Sequence, residues 1–219
     1  MAEPENLISR VEHFFQGPHE NINSMDNLLM DVQQAIQTTP DLSKTLGPYI
    51  GKIKSFQKMI AQMELVEWIQ LGGGSLSIGH RPSIKLVSDL KMQAATHIFT
   101  LLSEKENCRA IGKLTKNAGL NWLWFPMESA RNPDLDRYAE LKMVFEEIKE
   151  ILENEGKIYL HCSAGIHRTG MISFALLRFL GFDPESCAAK LKSLRIETSE
   201  GVGKNRIAWA NSFITNTLQ

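Results

Sequence analysis

Residues 157–180, KIYLHCSAGIHRTGMISFALLRFL, constrain the fold of this chain more than any other stretch. KIYLHC is a short apolar run. After a few small and polar residues, a strongly apolar helix is predicted from Arg168 to Leu180, stopped by Gly181. A run this apolar on both sides of its pleat reads as a strand buried between layers, and such strands are usual in parallel sheets covered by helices. The expectation is a strand–loop–helix unit at the centre of an α/β domain.

The rest of the chain agrees with that reading from Val66 onward. VEWIQLGGGSLSIGHRP holds two short strand-like runs around three glycines, SIKLVSDLKMQAA suggests a helix, and THIFTLLSE a buried strand. ENCRAIGKLTKNAG reads as a helix ending at Gly119, LNWLWFPM as another strand, and Asn132-Pro133 as the opening of a long amphipathic helix reaching about Asn154. Asp183-Pro184 starts a helix over ESCAAKLKSLR, with Asp183 as its cap, and a last helix covers Arg206 to Ile214. Strands alternating with helices predict a central, mostly parallel sheet flanked by helices over residues 65–219.

Residues 1–64 differ, being poor in strand signals. Leu28, Leu29, Val32 and Ile36 share a helical face that starts near Asn23 and Ser24, either of which can cap. Thr38-Thr39-Pro40 and Gly47-Pro48 punctuate the segment, and a second helix is expected from about Tyr49 to Met63. The expectation is a helical N-terminal extension packed on the following domain.

With 219 residues, 43% hydrophobic and 22% charged, the chain has the composition of a soluble globular protein. A formal net charge of -1 gives no general affinity for nucleic acid or acidic membranes, so any anion site must be local. Three scattered cysteines, Cys108, Cys162 and Cys187, argue for a reducing compartment rather than a disulfide framework. No cysteine–histidine cluster at zinc spacing occurs, and no metal or cofactor is expected. MAEPENLISR lacks a basic head followed by an apolar stretch, and no run reaches the ~20 apolar residues of a membrane span. The expectation is a cytoplasmic protein without membrane insertion.

The loop between the central strand and its helix has the makings of an anion site. Helix-start N–H groups lack internal partners and point at whatever precedes them. Ser163, Ala164, Gly165, Ile166, His167 and Arg168 can wrap their N–H groups around one tetrahedral oxyanion, with Gly165 able to take the positive φ of a tight wrap. The planar fork of Arg168 can hold two phosphate oxygens at once. Cys162 lies at the base, with five residues between it and that arginine. A free thiol, with a pKa near about 8.5, is mostly protonated at neutral pH, and converging N–H groups with a guanidinium lower that value. The thiolate can then attack phosphorus, the loop stabilising the equatorial oxygens, and water can hydrolyse the phosphocysteine. Thr169 can donate its hydroxyl to the departing sulfur, and His161 can orient the loop through its ring nitrogens.

HCSAGIHRTG resembles the HCxxGxxR[ST] signature of cysteine-dependent protein tyrosine and dual-specificity phosphatases. The likeness in element order covers about residues 66–216 and leaves residues 1–64 outside. It implies a phosphorylated protein as substrate, or a phosphoinositide, an inositol phosphate or an RNA 5′-phosphate. A pseudophosphatase that binds phosphorylated partners without turnover is the reading from another class. Where the family often has glycine before the arginine, this chain has His167, which adds positive charge at mildly acidic pH or covers the loop.

The family also supplies a proton to the leaving group from an aspartate on a loop after a strand. The corresponding stretch is WFPMESARNPDLDRY, and the aspartate position falls at Ser129, which cannot act as such an acid. Glu128 is the first candidate, ahead of Asp134 and Asp136, and a site without this acid would suit a phosphoanhydride, as in some RNA 5′-triphosphatases of the superfamily. Of the remaining residues, Arg81 can reach a phosphate or cap a turn, and Arg195, Lys204 and Arg206 can border the cleft or be ordinary surface. Cys108 and Cys187 read as core thiols, and Trp122 and Trp124 as packing residues.

Overall fold

The computed structural model describes residues 4–16 and 23–217. The chain splits into two compact units, Met1–Glu64 with Met92–Ala94, and Leu65–Lys91 with Ala95–Gln219.

The first unit holds three helices, α1 (Pro4–Gln16), α2 (Asn23–Thr38) and α3 (Ser43–Ala61). Leu7 and Val11 of α1 meet Met25, Leu28 and Val32 of α2 and Leu46 and Ile53 of α3 in a buried cluster. The pairs four residues apart are the apolar stripe that an amphipathic helix turns inward. Phe14, Phe15 and Phe56 pack edge to face beside it. Pro40 does end α2, opening a 3-10 turn at Pro40–Leu42. Gly47-Pro48, however, does not delay α3, which starts at Ser43 and carries Pro48 inside it. So near a helix start, proline costs only one backbone bond, and the fully buried Leu46 and Ile53 hold the helix together across it. The side chains of Asn23 and Ser24, the expected caps, lie outside the described residues.

The second unit is built on five strands, β1 (Ile69–Leu71), β2 (Gly74–Gly79), β3 (His97–Leu102), β4 (Asn121–Met127) and β5 (Lys157–His161). Their order is β1-β2-β5-β3-β4. β2, β5, β3 and β4 run parallel, and only β1 is antiparallel to its neighbour. The expected mostly parallel sheet is therefore present, with β5 at its centre.

Helices cover both faces: α4 (Ile84–Met92), α5 (Cys108–Asn117), α6 (Tyr138–Glu153), α7 (His167–Phe179), α8 (Pro184–Leu194), α9 (Ile196–Gly201) and α10 (Lys204–Thr217). Leu76, Ile78, Phe99, Leu101, Ile158 and Leu160 pack one face of the sheet against α6, α7, α8 and α10. The alternate residues Ile98 and Tyr159 pack against Leu86, Val87 and Leu90 of α4. This strict alternation fixes the register, because a slip of one residue would exchange the two layers.

Two elements depart from the expectations. α6 begins at Tyr138, after a 3-10 turn at Leu135–Arg137, rather than at Pro133. Arg137 turns its guanidinium back onto the Pro126 carbonyl and over the Phe125 ring, which ties the preceding segment to β4 and keeps Asp134 extended. α9 was not expected, since IETSEG has no apolar stripe and buries only Thr198.

Phe145 of α6 is fully buried against Phe179 and Phe213. Phe145→Ala should destabilise the sheet unit by about 3–5 kcal/mol, measured by urea denaturation.

Candidate active site

The predicted loop leaves the C-terminal end of β5 at Cys162 and enters α7 at His167. Cys162 is buried and 3% exposed. What shapes the loop is visible in its carbonyl groups, each of which is held from outside. The Cys162 carbonyl faces His161 Nδ1 at 3.0 Å. Ser163 O accepts the Arg81 N–H at 2.9 Å. Ala164 O and Gly165 O both accept from Arg195 Nη1, at 2.9 and 3.0 Å, and Gly165 O also accepts the Thr198 hydroxyl at 2.5 Å. In a trans peptide the N–H points opposite to its carbonyl. With the carbonyls of residues 162–165 turned outward, the N–H groups of Ser163, Ala164, Gly165 and Ile166 turn into the bowl. Those of His167 and Arg168, at the start of α7, have no helical acceptor, since the first helical bond runs from Gly170 N–H to Ile166 O at 2.8 Å. The carbonyl directions thus leave six N–H groups, from Ser163 to Arg168, without a carbonyl acceptor within the loop.

The turn depends on Gly165 at φ +72. A Cβ there would fall 2.3 Å from the Gly79 backbone. The end of β2 thus lies directly against this loop, and a Cβ on Gly79 would meet the Tyr159 hydroxyl instead.

Burial pushes the Cys162 thiol up, but this is outweighed by the Thr169 hydroxyl and N–H, the Gly165 N–H and the Arg168 charge. The thiol is left below its ordinary range, which shifts toward the thiolate a group that burial alone would keep neutral. The Gly165 N–H donates to the sulfur at 3.2 Å. The Thr169 hydroxyl is buried without a hydrogen-bond partner, and it is the side chain that most lowers the Cys162 thiol. His161 is held neutral: burial takes it down to about 4, against the bond to Cys162 and with Arg81, His80 and Arg168 adding to the fall.

Arg168 is gripped by a residue that the sequence reading missed. Glu106 receives Nη1 at 2.6 Å and Nη2 at 2.7 Å, and Nη1 also donates to Met127 O at 2.9 Å. Of the five N–H groups of a guanidinium, these bonds use both on Nη1 and one on Nη2. The free pair, Nε–H and the second Nη2–H, forms one edge, and that edge is the fork that can hold two oxygens of a phosphoryl group. Glu106 itself closes a capping box with Ser103. The Ser103-x-x-Glu106 spacing was the available signal, and it reads as a helix start rather than as part of a site. The hydrogen bond from Arg168 is the main reason that Glu106 falls from 4.5 to about 2. Glu106 is thus ionised at neutral pH, where it has no proton to give a leaving group.

The expected acids stand elsewhere. Glu128 follows Met127 directly, is exposed, and pairs with Lys105 at 3.3 Å. Asp134 and Asp136 are exposed and lie further along the chain. Ser129 Oγ accepts the Arg131 N–H at 3.2 Å, closing a turn. Arg206 fixes this segment through Ala130 O at 2.8 Å. Arg195, expected to border the cleft or be ordinary surface, instead braces the phosphate loop from behind, and Arg206 braces the loop of Glu128. Arg81 donates from its guanidinium to the Glu106 carbonyl, and His167 is exposed at the mouth. Cys108 and Cys187 are buried free thiols, as expected, both pushed up by burial.

Glu106→Gln should leave Arg168 loosely held and lower kcat/KM by about 10²-fold. Because the folded pKa of Glu106 is depressed, its contribution to stability is present above about 4.5 and is lost as pH falls toward about 2. Acid unfolding followed by circular dichroism should therefore show a difference between wild type and variant that narrows across that window.

Comparison with known proteins agrees with this geometry. The model of the dual specificity phosphatase catalytic domain matches residues 78–204, more than half of the chain. Kinase associated phosphatase, with its catalytic-site cysteine replaced by serine, is similar with a TM-score of 0.61 and 19% identity, covering 72% of this chain and 97% of its own. PTPMT1 in complex with PI(5)P has a TM-score of 0.55 and 15% identity, covering 69% and 96%. The active form of Tk-PTP has a TM-score of 0.52 and 15% identity, covering 65% and 89%. At such identities the likeness is one of fold. No curated protein sequence matches the chain. With its signature loop folded around a sulfur and its arginine locked in place, the chain belongs to the family of dual specificity phosphatase catalytic domains.

Proposed function

We propose that this chain is an active phosphomonoesterase that works through a phosphocysteine on Cys162, with phosphorylated proteins as its substrates in the manner of protein tyrosine and dual-specificity phosphatases. The observation that carries this reading is the buried sulfur, held below its ordinary thiol range at the centre of six N–H groups and the free edge of Arg168. A module that only binds phosphate has no need of a thiolate.

In the first step the Cys162 sulfur attacks phosphorus, the P–O bond to the leaving group breaks, and the loop from Ser163 to Arg168 holds the three equatorial oxygens. Glu128 is the proposed proton donor. Met127 O is bonded to Arg168, so Glu128 is the first carboxylate along the chain from the phosphoryl grip, and release from exposed Lys105 frees it to swing inward. In the second step water attacks the phosphocysteine, the S–P bond breaks, and the Thr169 hydroxyl stabilises the returning thiolate.

A second substrate reading draws on the rim. Among the described residues no carboxylate pairs with Arg81, whose guanidinium donates to the Glu106 carbonyl, and the His167 side chain is exposed beside the loop. A substrate with further phosphates, such as the phosphoinositide bound by PTPMT1, would suit that rim.

Cys162→Ser should reduce turnover of para-nitrophenyl phosphate to background while retaining affinity for vanadate; retained turnover would overturn the assignment. Glu128→Gln should slow alkyl phosphates by about 10²-fold or more and scarcely affect activated aryl phosphates. Equal losses on both would remove Glu128 from the role. A panel of phosphopeptides, phosphoinositides and triphosphorylated RNA should favour the phosphopeptides.

A further inference from the structure

Three polar side chains lie on a line behind the nucleophile, on three neighbouring strands, and the chemistry of the site so far uses only one of them. Trp122 of β4 donates its indole N–H to Thr100 Oγ1 at 2.9 Å. Thr100 of β3 lies 2.9 Å from His161 Nε2. His161 of β5 reaches the Cys162 carbonyl through Nδ1 at 3.0 Å. Thr100 and His161 are fully buried, and Thr100 stands directly opposite His161 in the β3–β5 register.

The direction of every hydrogen in this line follows from the chemistry of its ends. A carbonyl oxygen only accepts, so His161 Nδ1 carries the ring proton. A neutral imidazole then has an acceptor at Nε2, and the Thr100 hydroxyl must donate to it. An indole N–H only donates, so it fills a lone pair on Thr100 Oγ1 and leaves the hydroxyl hydrogen for His161. The chain runs one way: indole to hydroxyl, hydroxyl to imidazole, imidazole to the Cys162 carbonyl. Successive bonds of one direction polarise and strengthen each other in a low-dielectric interior.

We propose that Thr100 and Trp122 are positioning residues for Cys162, fixing the tautomer of His161 and thereby turning the Cys162 carbonyl out of the bowl so that the loop's N–H groups face the sulfur. This rests on the reading of Cys162 as nucleophile. Without the Thr100 hydroxyl, Nε2 would be a buried acceptor without a donor, and the ring would gain by flipping or changing tautomer. Either change removes the donor from the Cys162 carbonyl, the first of the outward-held carbonyls on which the bowl depends. The surroundings favour a neutral ring, since the charged groups that bear on His161 are Arg81 and His80 from the loop after β2 and Arg168 from α7. The supporting frame is rigid as well. Trp122 stacks on Trp124 at 5.6 Å, and Gly112 of α5 lies so close to the Trp122 ring that a Cβ there would fall 2.6 Å from it. The position of the indole is therefore set from both sides.

The test is the pH dependence of Cys162 alkylation by iodoacetamide, read by mass spectrometry of the labelled peptide with Cys162→Ser as the blank. Thr100→Val keeps the shape and removes the hydroxyl, and Trp122→Phe keeps a ring and removes the donor. On the acidic limb of the wild-type curve, well below its midpoint, alkylation should slow by about 10-fold in Thr100→Val, the factor of a one-unit rise in pKa, and by about 3-fold in Trp122→Phe. The kcat–pH profile should move by the same amounts, whereas KM should change little. A purely structural role would lower Tm and leave the alkylation profile in place. If both variants alkylate along the wild-type curve, the proposal is wrong. If Thr100→Val does not fold, Trp122→Phe alone decides, with an unmoved curve counting against the proposal. Slow wild-type alkylation at pH 6 would instead refute the nucleophile itself.

Discussion

The structure of this domain turns on aiming backbone donors at a buried cysteine. Burial of Cys162, 3% exposed, works against a thiolate unless donors converge on it, and N–H groups can converge only if their carbonyls are drawn the other way. Four separate parts of the chain do this drawing: His161 on the central strand, Arg81 after β2, Arg195 after α8 and Thr198 in α9. The parallel sheet matters because it brings the ends of β2, β3, β4 and β5 to one side, where each can contribute. Gly165 matters because a side chain there would run into the backbone of Gly79 at the end of β2.

The second constraint concerns the arginine. A guanidinium free to swing would lose entropy on gripping a phosphoryl group, so its usefulness depends on being held beforehand. The carboxylate of Glu106 and the carbonyl of Met127 take up one side of Arg168 and leave the other as an oriented fork. Glu106 thereby gives up any role as a proton donor. Glu128, the carboxylate proposed above for proton transfer, is by contrast exposed and paired with Lys105.

How much of this was legible in the sequence depended on distance along the chain. The loop from Cys162 to Thr169 and its position between a strand and a helix could be read locally, because its residues are consecutive and the apolar runs on either side define the strand and the helix. Glu106 and Thr100 lie 62 and 61 residues from their partners. Nothing in a local pattern announces a contact of that kind, and Ser103-x-x-Glu106 carries the signature of a helix cap. The brace from Arg195 was hidden because a lone arginine after a helix reads as surface. α9 escaped because a short helix wedged against a loop buries one threonine and shows no apolar period. At Pro133, a good first position for a helix, the tie from Arg137 to Pro126 and Phe125 outweighed local preference and delayed α6. At Pro48 the outcome reversed, and burial of Leu46 carried the helix through a proline.

The central claim, a nucleophilic sulfur beneath a ring of amide hydrogens, is tested most directly by a crystal structure of the protein with vanadate. The account predicts vanadium bonded to Cys162 Sγ, with its equatorial oxygens on the N–H groups of Ser163 to Arg168 and on the Nε and Nη2 edge of Arg168. Vanadate bound away from the sulfur, or a loop whose carbonyls line the bowl in place of its N–H groups, would contradict it.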